Sequence, residues 1–254
     1  MADDPTPSAF DELVDPYDSL IDWPKRLANE GPFFKRLFAE AGMHTVLDAA
    51  CGTGHHAAMF RGWGLTVEGA DLSPAMIARC RERFGENEGL SWAVRSFTDA
   101  RDTMPSVDAV VCIGNSLALV DDLTGMHRAV RAMIAKLRPG GIGIFQVLNL
   151  WRIPEGPTIW QKCESRPSVG GHRVVLKGLH RVAGRGYVDL IDLRLTPGGL
   201  VKRFDAPSFI GLEAAELSNA IQKGGGSAIQ LLGGYGAEPY DREKSADLMC
   251  VFRK

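Results

Sequence analysis

The sequence predicts an open α/β sheet, mostly parallel, with helices on both faces. Three observations carry this. Short apolar segments with little polar alternation recur between residues 45 and 148, helical stretches of about a dozen residues separate them, and glycine or proline marks most joins. A strand covered on both faces has no solvent side on which to alternate, and parallel neighbours need a crossover between them.

The elements follow in order. From residue 11 to 41 apolar positions fall at helical spacing, broken by Pro24 and Pro32, which predicts short helices forming an N-terminal cap. Thr45 to Asp48 reads as a strand, 53–63 as a helix, and Thr66 to Asp71 as a strand ending in an acid. Pro74 to Phe84 is a helix, with Ser73 as N-cap and Pro74 at its first position. Leu90 to Val94 and Val107 to Ile113 are strands, and Thr124 to Leu137 is an amphipathic helix. Arg138, Pro139, Gly140 and Gly141 stop that helix before a strand running from Gly141 to Leu148.

After residue 150 the rhythm changes. Residues 172–208 show partial period-two alternation with turn signals at Gly184 to Gly186 and Pro197 to Gly199, predicting three antiparallel strands inserted as a lid. A helix from Leu212 to Gln222, a strand from Ser227 to Leu232 and a last strand from Asp247 to Arg253 complete the chain. One domain is expected over residues 1–254, divided into a cap (1–43), a ligand-binding core (44–150), a β insertion (151–210) and a closing segment (211–254).

Composition narrows the partners. With 29 Lys and Arg against 31 Asp and Glu, the formal charge of −2 offers no attraction for nucleic acid or an anionic membrane. A small-molecule partner is expected instead. Cys51, Cys80, Cys112, Cys163 and Cys250 are scattered, odd in number and free of CxxC spacing, so neither a disulfide framework nor a zinc site is implied. The N-terminus lacks an apolar signal region and no apolar run is long enough to span a bilayer, which predicts a soluble, cytoplasmic protein.

Residues 46–54 read VLDAACGTG and join the first strand to the first helix, at the carboxyl edge where ligands of such sheets bind. Gly52 and Gly54 let a ligand approach the backbone, and the helix behind them offers unpaired N–H groups. Ala57 stands where a dinucleotide fingerprint would place its third glycine. Asp48 faces the position a pyrophosphate would take, which repels a dinucleotide and suits a cation. Asp71, at the end of the second strand, can accept hydrogen bonds from two ribose hydroxyls. His55 and His56 lack a third ligand at suitable spacing and read as first-turn helix residues, so no metal is assigned. A ribose, no required phosphate and a positive charge describe S-adenosylmethionine.

VLDAACGTG, GADLSPAMI at 69–77, DAVVCIGNSLALV at 108–120 and LRPGG at 137–141 together resemble the ordered motifs of class I S-adenosylmethionine-dependent methyltransferases. The resemblance implies a Rossmann-like, seven-stranded sheet, which the closing pair of strands matches, and S-adenosylhomocysteine as product. It implies that Asp48, Ala50, Gly52 and Gly54 line the methionine end of the cofactor, that Asp71 takes the ribose, and that Leu72 and Met76 border the adenine. Ser96 and Phe97 stand where the family holds the adenine amino group; many relatives carry an acid there, so backbone recognition is expected. Ile113, Gly114 and Asn115 face the sulfonium and the acceptor.

A narrower resemblance lies in YDSLIDWPKRLANEGPFF and in the GNSL after the fourth strand, which are similar to the glycine and sarcosine N-methyltransferase branch. It implies that Tyr17, Trp23 and Arg26 reach the cofactor from the N-terminal segment, Arg26 pairing with its carboxylate. Asn115 and Tyr17 become the positioning candidates, with Asn149, His180, Arg181 and Tyr235 as further acceptor-side candidates. Leu150 follows Asn149 where that branch would carry a tyrosine or another polar aromatic, which points to an acceptor pocket unlike that for glycine.

Methyl transfer from a sulfonium is an in-line displacement that needs near-attack geometry and exclusion of water more than an acid or base. The expected activity is therefore methylation of a small molecule, directed to the nitrogen of an amino acid or similar amine. Methylation of a phenol, quinol or other small hydroxyl is the alternative, with His180 as the candidate base. A cofactor-binding protein without turnover is the alternative of another class.

Overall fold

The computed structural model describes residues 21–99, 106–168 and 171–254. The chain opens with α1 (Trp23–Glu40), then β1 (Thr45–Asp48), α2 (His55–Gly62), β2 (Thr66–Asp71), α3 (Pro74–Phe84) and β3 (Leu90–Val94). β4 (Val107–Cys112), α4 (Leu123–Lys136) and β5 (Leu137–Leu148) complete the first half. A second group of strands follows, β6 (Ile159–Ser168), β7 (Gly171–Val182), β8 (Arg185–Thr196), β9 (Gly199–Asp205) and β10 (Ser208–Ile210). α5 (Ala214–Lys223), β11 (Ser227–Leu232) and β12 (Asp247–Arg253) return the chain to the first sheet.

That first sheet has seven strands in the order β11-β12-β5-β4-β1-β2-β3. β1 pairs in parallel with both β2 and β4, so the order reverses there and a crevice opens at the carboxyl ends of β1 and β4. β12 runs antiparallel to β5 and to β11.

The fully buried strand β4 shows why both faces are apolar. Val110 and Cys112 join the cluster formed with Met126, Val130 and Met133 of α4 and Leu217 of α5, whereas Ala109 and Val111 join Phe34 of α1, Phe60 of α2 and Ile77 of α3. Opposite the crevice, Asp108 is a structural acid. Its Oδ2 accepts the N–H groups of His44 at 2.7 Å and Thr45 at 2.8 Å, and Arg138 pairs with Oδ1. Burial opposes its ionisation, but these donors hold the carboxyl down at about 2.

Two expectations need correction. Among the described residues of the cap, Trp23–Glu40 is one continuous helix rather than several short ones. Pro24 occupies the first turn, where no N–H bond is lost, and the single bond forfeited at Pro32 is offset by burial of Phe33, Phe34 and Phe38. The inserted sheet has five strands, not three: order β10-β8-β7-β6, with β9 on β8. Elsewhere β5 starts at Leu137 instead of Gly141, because its pairing with β4 resumes across a register shift. Leu179, Phe209 and Ile210 seat the inserted sheet on the same apolar cluster as Leu117 and Leu150. Among the described residues no helix is long and apolar enough to cross a membrane.

Candidate functional site

A cavity of about 520 Å³ opens at the crevice and is walled by Trp23, Arg26, Asp48, Ala50, Gly52, Asp71, Leu72, Met76, Ser96, Phe97, Ile113 and Gly114. Four strand-end segments and two helices, α1 and the start of α3, thus bring together most of the residues singled out from sequence. Tyr17 lies outside the described residues.

The glycine loop is shaped by its neighbours. Gly52, at φ +53°, donates its N–H to Asp71 Oδ2 at 2.9 Å, while Ser73 donates to Asp71 Oδ1 at 3.0 Å. The acid that ends β2 thereby fixes the loop and keeps lone pairs for a diol. Gly54 has a different job from its neighbour. At φ +83° it caps α2, and a Cβ there would come within 2.7 Å of Trp92 and 2.8 Å of Cys80. It makes space for packing and does not line the cavity.

Asp48 is 1% exposed, and its Oδ1 has no hydrogen-bond partner among the described residues. Burial first, and then the charge of Asp71, push its carboxyl up to about 7, with Arg26 opposing. A buried acceptor without a donor is unfavourable until one arrives. An ammonium group is the donor that would also balance the charge, so the acids suit a ligand carrying both an ammonium group and a ribose diol. Arg26 adds a guanidinium that can hold a carboxylate in two hydrogen bonds. These residues fit the three polar ends of S-adenosylmethionine.

The wall formed by the segments after β2 and β3 is softer in chemistry. Leu72, 62% exposed, and Met76 give an apolar border, and the Ser96 hydroxyl is engaged with Thr98 at 2.8 Å. On the opposite side, the Gly114 N–H is held by Gln146 Oε1 at 2.6 Å, and Gln146 in turn donates to Asp247 at 2.8 Å.

The acceptor-side candidates separate. Asn115, at φ +70°, uses its Oδ1 to accept the Leu148 N–H at 2.9 Å, tying the turn after β4 to β5. Asn149 is 1% exposed; its amide donates to the carbonyls of Arg242 at 2.8 Å and Ser245 at 2.9 Å. Arg181 donates to the Ile153 carbonyl at 2.8 Å. His180 pairs with Asp189 at 2.8 Å and stacks on Tyr187, in a different groove shared with Trp160 and Phe204. None of these four lines the main cavity. Tyr235 packs edge-on against Phe33 with its hydroxyl buried, and burial together with the Glu30 charge raises that hydroxyl well above its ordinary value.

Two residues escaped the sequence reading. Glu30, 6% exposed, accepts from Arg26 Nε at 2.8 Å and from His56 Nε2 at 2.6 Å. Its place four residues after Arg26 is visible in sequence but has the look of a solvated helix pair. Lys177, on β7 opposite Lys162, forms no ion pair among the described residues; burial first, and then the charges of Arg26 and Lys162, lower it. Nothing in the sequence around it signals which face of the inserted sheet is buried. His55, stacked under Trp23 at 4.0 Å, and His56 serve packing and Glu30, and among the described residues no three metal-binding side chains converge.

Residues 46–141 match a methyltransferase domain family. The chain is similar to a glycine/sarcosine N-methyltransferase of Parasynechococcus marenigrum, 35% identical over 58% of this chain and 53% of that one. It is also similar to a glycine/sarcosine/dimethylglycine N-methyltransferase of Actinopolyspora halophila, 32% identical over 54% of this chain and 25% of the relative. The match spans about half the length of the first of these relatives and a quarter of the second. Among solved structures, a sugar N-methyltransferase from Streptoalloteichus shares the fold with a TM-score of 0.75 at 22% identity, covering 100% of this chain and 96% of its own. A methyltransferase from Clostridium acetobutylicum does so with a TM-score of 0.76 at 12% identity, over 97% and 99%. The chain resembles class I S-adenosylmethionine-dependent methyltransferases, and the resemblance extends to the glycine/sarcosine branch.

Proposed function

We propose that this protein is an S-adenosylmethionine-dependent methyltransferase acting on the nitrogen of a small molecule, an amino acid or similar amine. The observation that carries the reading is one cavity walled by Asp48, whose buried Oδ1 has no partner among the described residues, by Asp71 at the end of β2, and by Arg26. Likeness to N-methyltransferases of glycine and sarcosine supports the nitrogen as target.

Bound S-adenosylmethionine supplies a methyl group on a cationic sulfur. The chain's own residues do the rest. Asp48 would hold the ammonium, Arg26 the carboxylate and Asp71 the ribose, and Ile113 and Gly114 line the same cavity. Holding an amine there at near-attack distance and excluding water account for the acceleration, and solvent takes the amine proton. Lys177 does not line the cavity, but its ammonium is close enough to feel the Arg26 charge, and we offer it as a counter-ion for an acceptor carboxylate that reaches past the cavity wall. We place the four segments of residues 1–254 in one working domain, and the protein in the cytoplasm, where the buried free thiols of Cys51, Cys80, Cys112 and Cys250 suit a reducing medium.

A hydroxyl-directed reaction is less favoured because its candidate base, His180, sits in the other groove. The test is release of S-adenosylhomocysteine from labelled cofactor across glycine, sarcosine, dimethylglycine, other amines and phenols. Release with an amine supports the proposal. Release with a phenol alone overturns the nitrogen target, and cofactor binding without release on any acceptor moves the reading toward a binding protein.

A further inference from the structure

Trp23, Arg26 and Glu30 follow one another at spacings of three and four residues and share one face of α1. That face rests on the start of α2. Trp23 stacks on His55 with ring centroids 4.0 Å apart and meets His56 edge-on at 5.9 Å. The Arg26 guanidinium lies over Trp23, 5.3 Å from the ring centre. Glu30 receives Arg26 Nε on one oxygen at 2.8 Å and His56 Nε2 on the other at 2.6 Å. One carboxylate therefore joins the helix beside the cavity to the helix that begins at the glycine loop.

An exposed pair of this kind would be worth a few tenths of a kcal/mol. Burial changes the logic. Glu30 at 6% and His56 at 5% exposure cannot be satisfied by bulk water, so each depends on the other and on Arg26. Burial lowers His56, which keeps the imidazole neutral with its Nε2 proton donated to Glu30. Burial would raise Glu30, but His56 and Arg26 hold it below its ordinary value. The trio carries no net charge, and Arg26 is fixed at Nε by Glu30 and across its plane by Trp23. Its Nη2 end then approaches the turn after β4, 3.7 Å from where a Cβ on Gly114 would stand.

We propose that Glu30 is a positioning residue for recognition of the carboxylate on the cofactor's amino-acid tail, orienting Arg26 and anchoring it to α2 through His56. This rests on the reading of the cavity as an S-adenosylmethionine site. A guanidinium fixed in its plane loses less freedom when it grips a carboxylate in two hydrogen bonds, which is the gain Glu30 provides.

The experiment is calorimetric titration of the full chain with S-adenosylhomocysteine, which has the amino-acid tail, and with 5′-methylthioadenosine, which lacks it. Glu30→Gln keeps the shape and removes the charge. It should weaken S-adenosylhomocysteine about tenfold and leave methylthioadenosine unchanged. Arg26→Gln should do the same or more, and the double variant should bind no worse than Arg26→Gln alone, because Glu30 acts through Arg26. A Glu30→Gln protein in which both ligands weaken together, or in which their ratio is unchanged, overturns the proposal, as does an additive loss in the double variant. If Glu30→Gln does not fold, Glu30→Asp, which keeps the charge but falls a methylene short, reads the same ratio. Wild-type protein that binds neither nucleoside would overturn the reading of the cavity itself.

Discussion

In the seven-stranded sheet the polar groups that meet the cavity stand at strand ends, Asp48 on β1 and Asp71 on β2, held by backbone N–H groups or, for one Asp48 oxygen, by nothing among the described residues. In the five-stranded sheet the polar groups hold one another. Arg173 meets Asp192 at 2.8 Å, Lys162 meets Glu164 at 2.9 Å, and His180 meets Asp189 at 2.8 Å. Inside a protein a polar group without a partner costs free energy, so one kept in place points to a ligand, whereas a paired group is explained by the fold alone. Lys177, half-buried and without an ion pair among the described residues, is the exception in that sheet.

The comparison breaks first, if it breaks, at Asp71. Asp71→Ala removes the acceptor for a ribose diol and releases the N–H groups of Gly52 and Ser73, so it disturbs ligand and loop together. The expected loss of S-adenosylhomocysteine affinity is about 3 kcal/mol, roughly a hundredfold. Unchanged affinity by calorimetry would mean that this strand end is not where the ligand lies.

Asp48→Asn tests the unpartnered acid. The folded protein keeps the Asp48 proton up to about pH 7, whereas the unfolded chain releases it near the ordinary aspartate value of 3.8. Between those values ionisation works against the folded state, so the penalty is absent below about pH 4 and complete above pH 7, at roughly 4 kcal/mol. Ligand-free Asp48→Asn should therefore melt above the wild type at pH 8 and level with it at pH 4. The same variant should bind S-adenosylhomocysteine about tenfold more weakly, having lost the charge that meets the ammonium. Parallel melting curves across that range would show that Asp48 already has a partner.

What was legible in the sequence follows the same division. The glycine loop, Asp48 and Asp71 could be read because their chemistry is local: strand, turn and helix succeed one another within a few residues, and the acids fall at fixed offsets from the turn. Glu30 could not, because its second partner, His56, lies 26 residues away and only tertiary packing brings it there. Asn115 and Asn149 stood out as polar groups past strand ends, but the structure uses both on backbone groups where the chain reverses. β6 carries no strand signal because its sequence, IWQKCESRPS, breaks the alternation with charges and a proline. Strand periodicity separates the two faces of a sheet without saying which one is buried, so Lys177 carries no signal in the sequence.

Lys177 sharpens the comparison from the other sheet. Lys177→Met keeps the length of the side chain and removes its charge. With the acceptor found by the release assay, its KM should rise about tenfold for a carboxylate-bearing amine, while S-adenosylhomocysteine affinity stays level. A loss of cofactor affinity instead would assign this ammonium to the cofactor's own carboxylate beside Arg26.

His180 should matter least. It has the residue type of a catalytic base and a carboxylate to orient it, yet the pair stands in a groove with Trp160 and Phe204, with Tyr187 stacked 4.9 Å from its ring. A part-exposed pair of this kind contributes under about 1 kcal/mol to stability. His180→Gln should therefore change kcat/KM by less than about twofold, in line with a residue that never meets the reacting atoms. A hundredfold fall in kcat would reverse the comparison: the paired groups of the five-stranded sheet would be the working ones, and a hydroxyl acceptor would regain the base it needs.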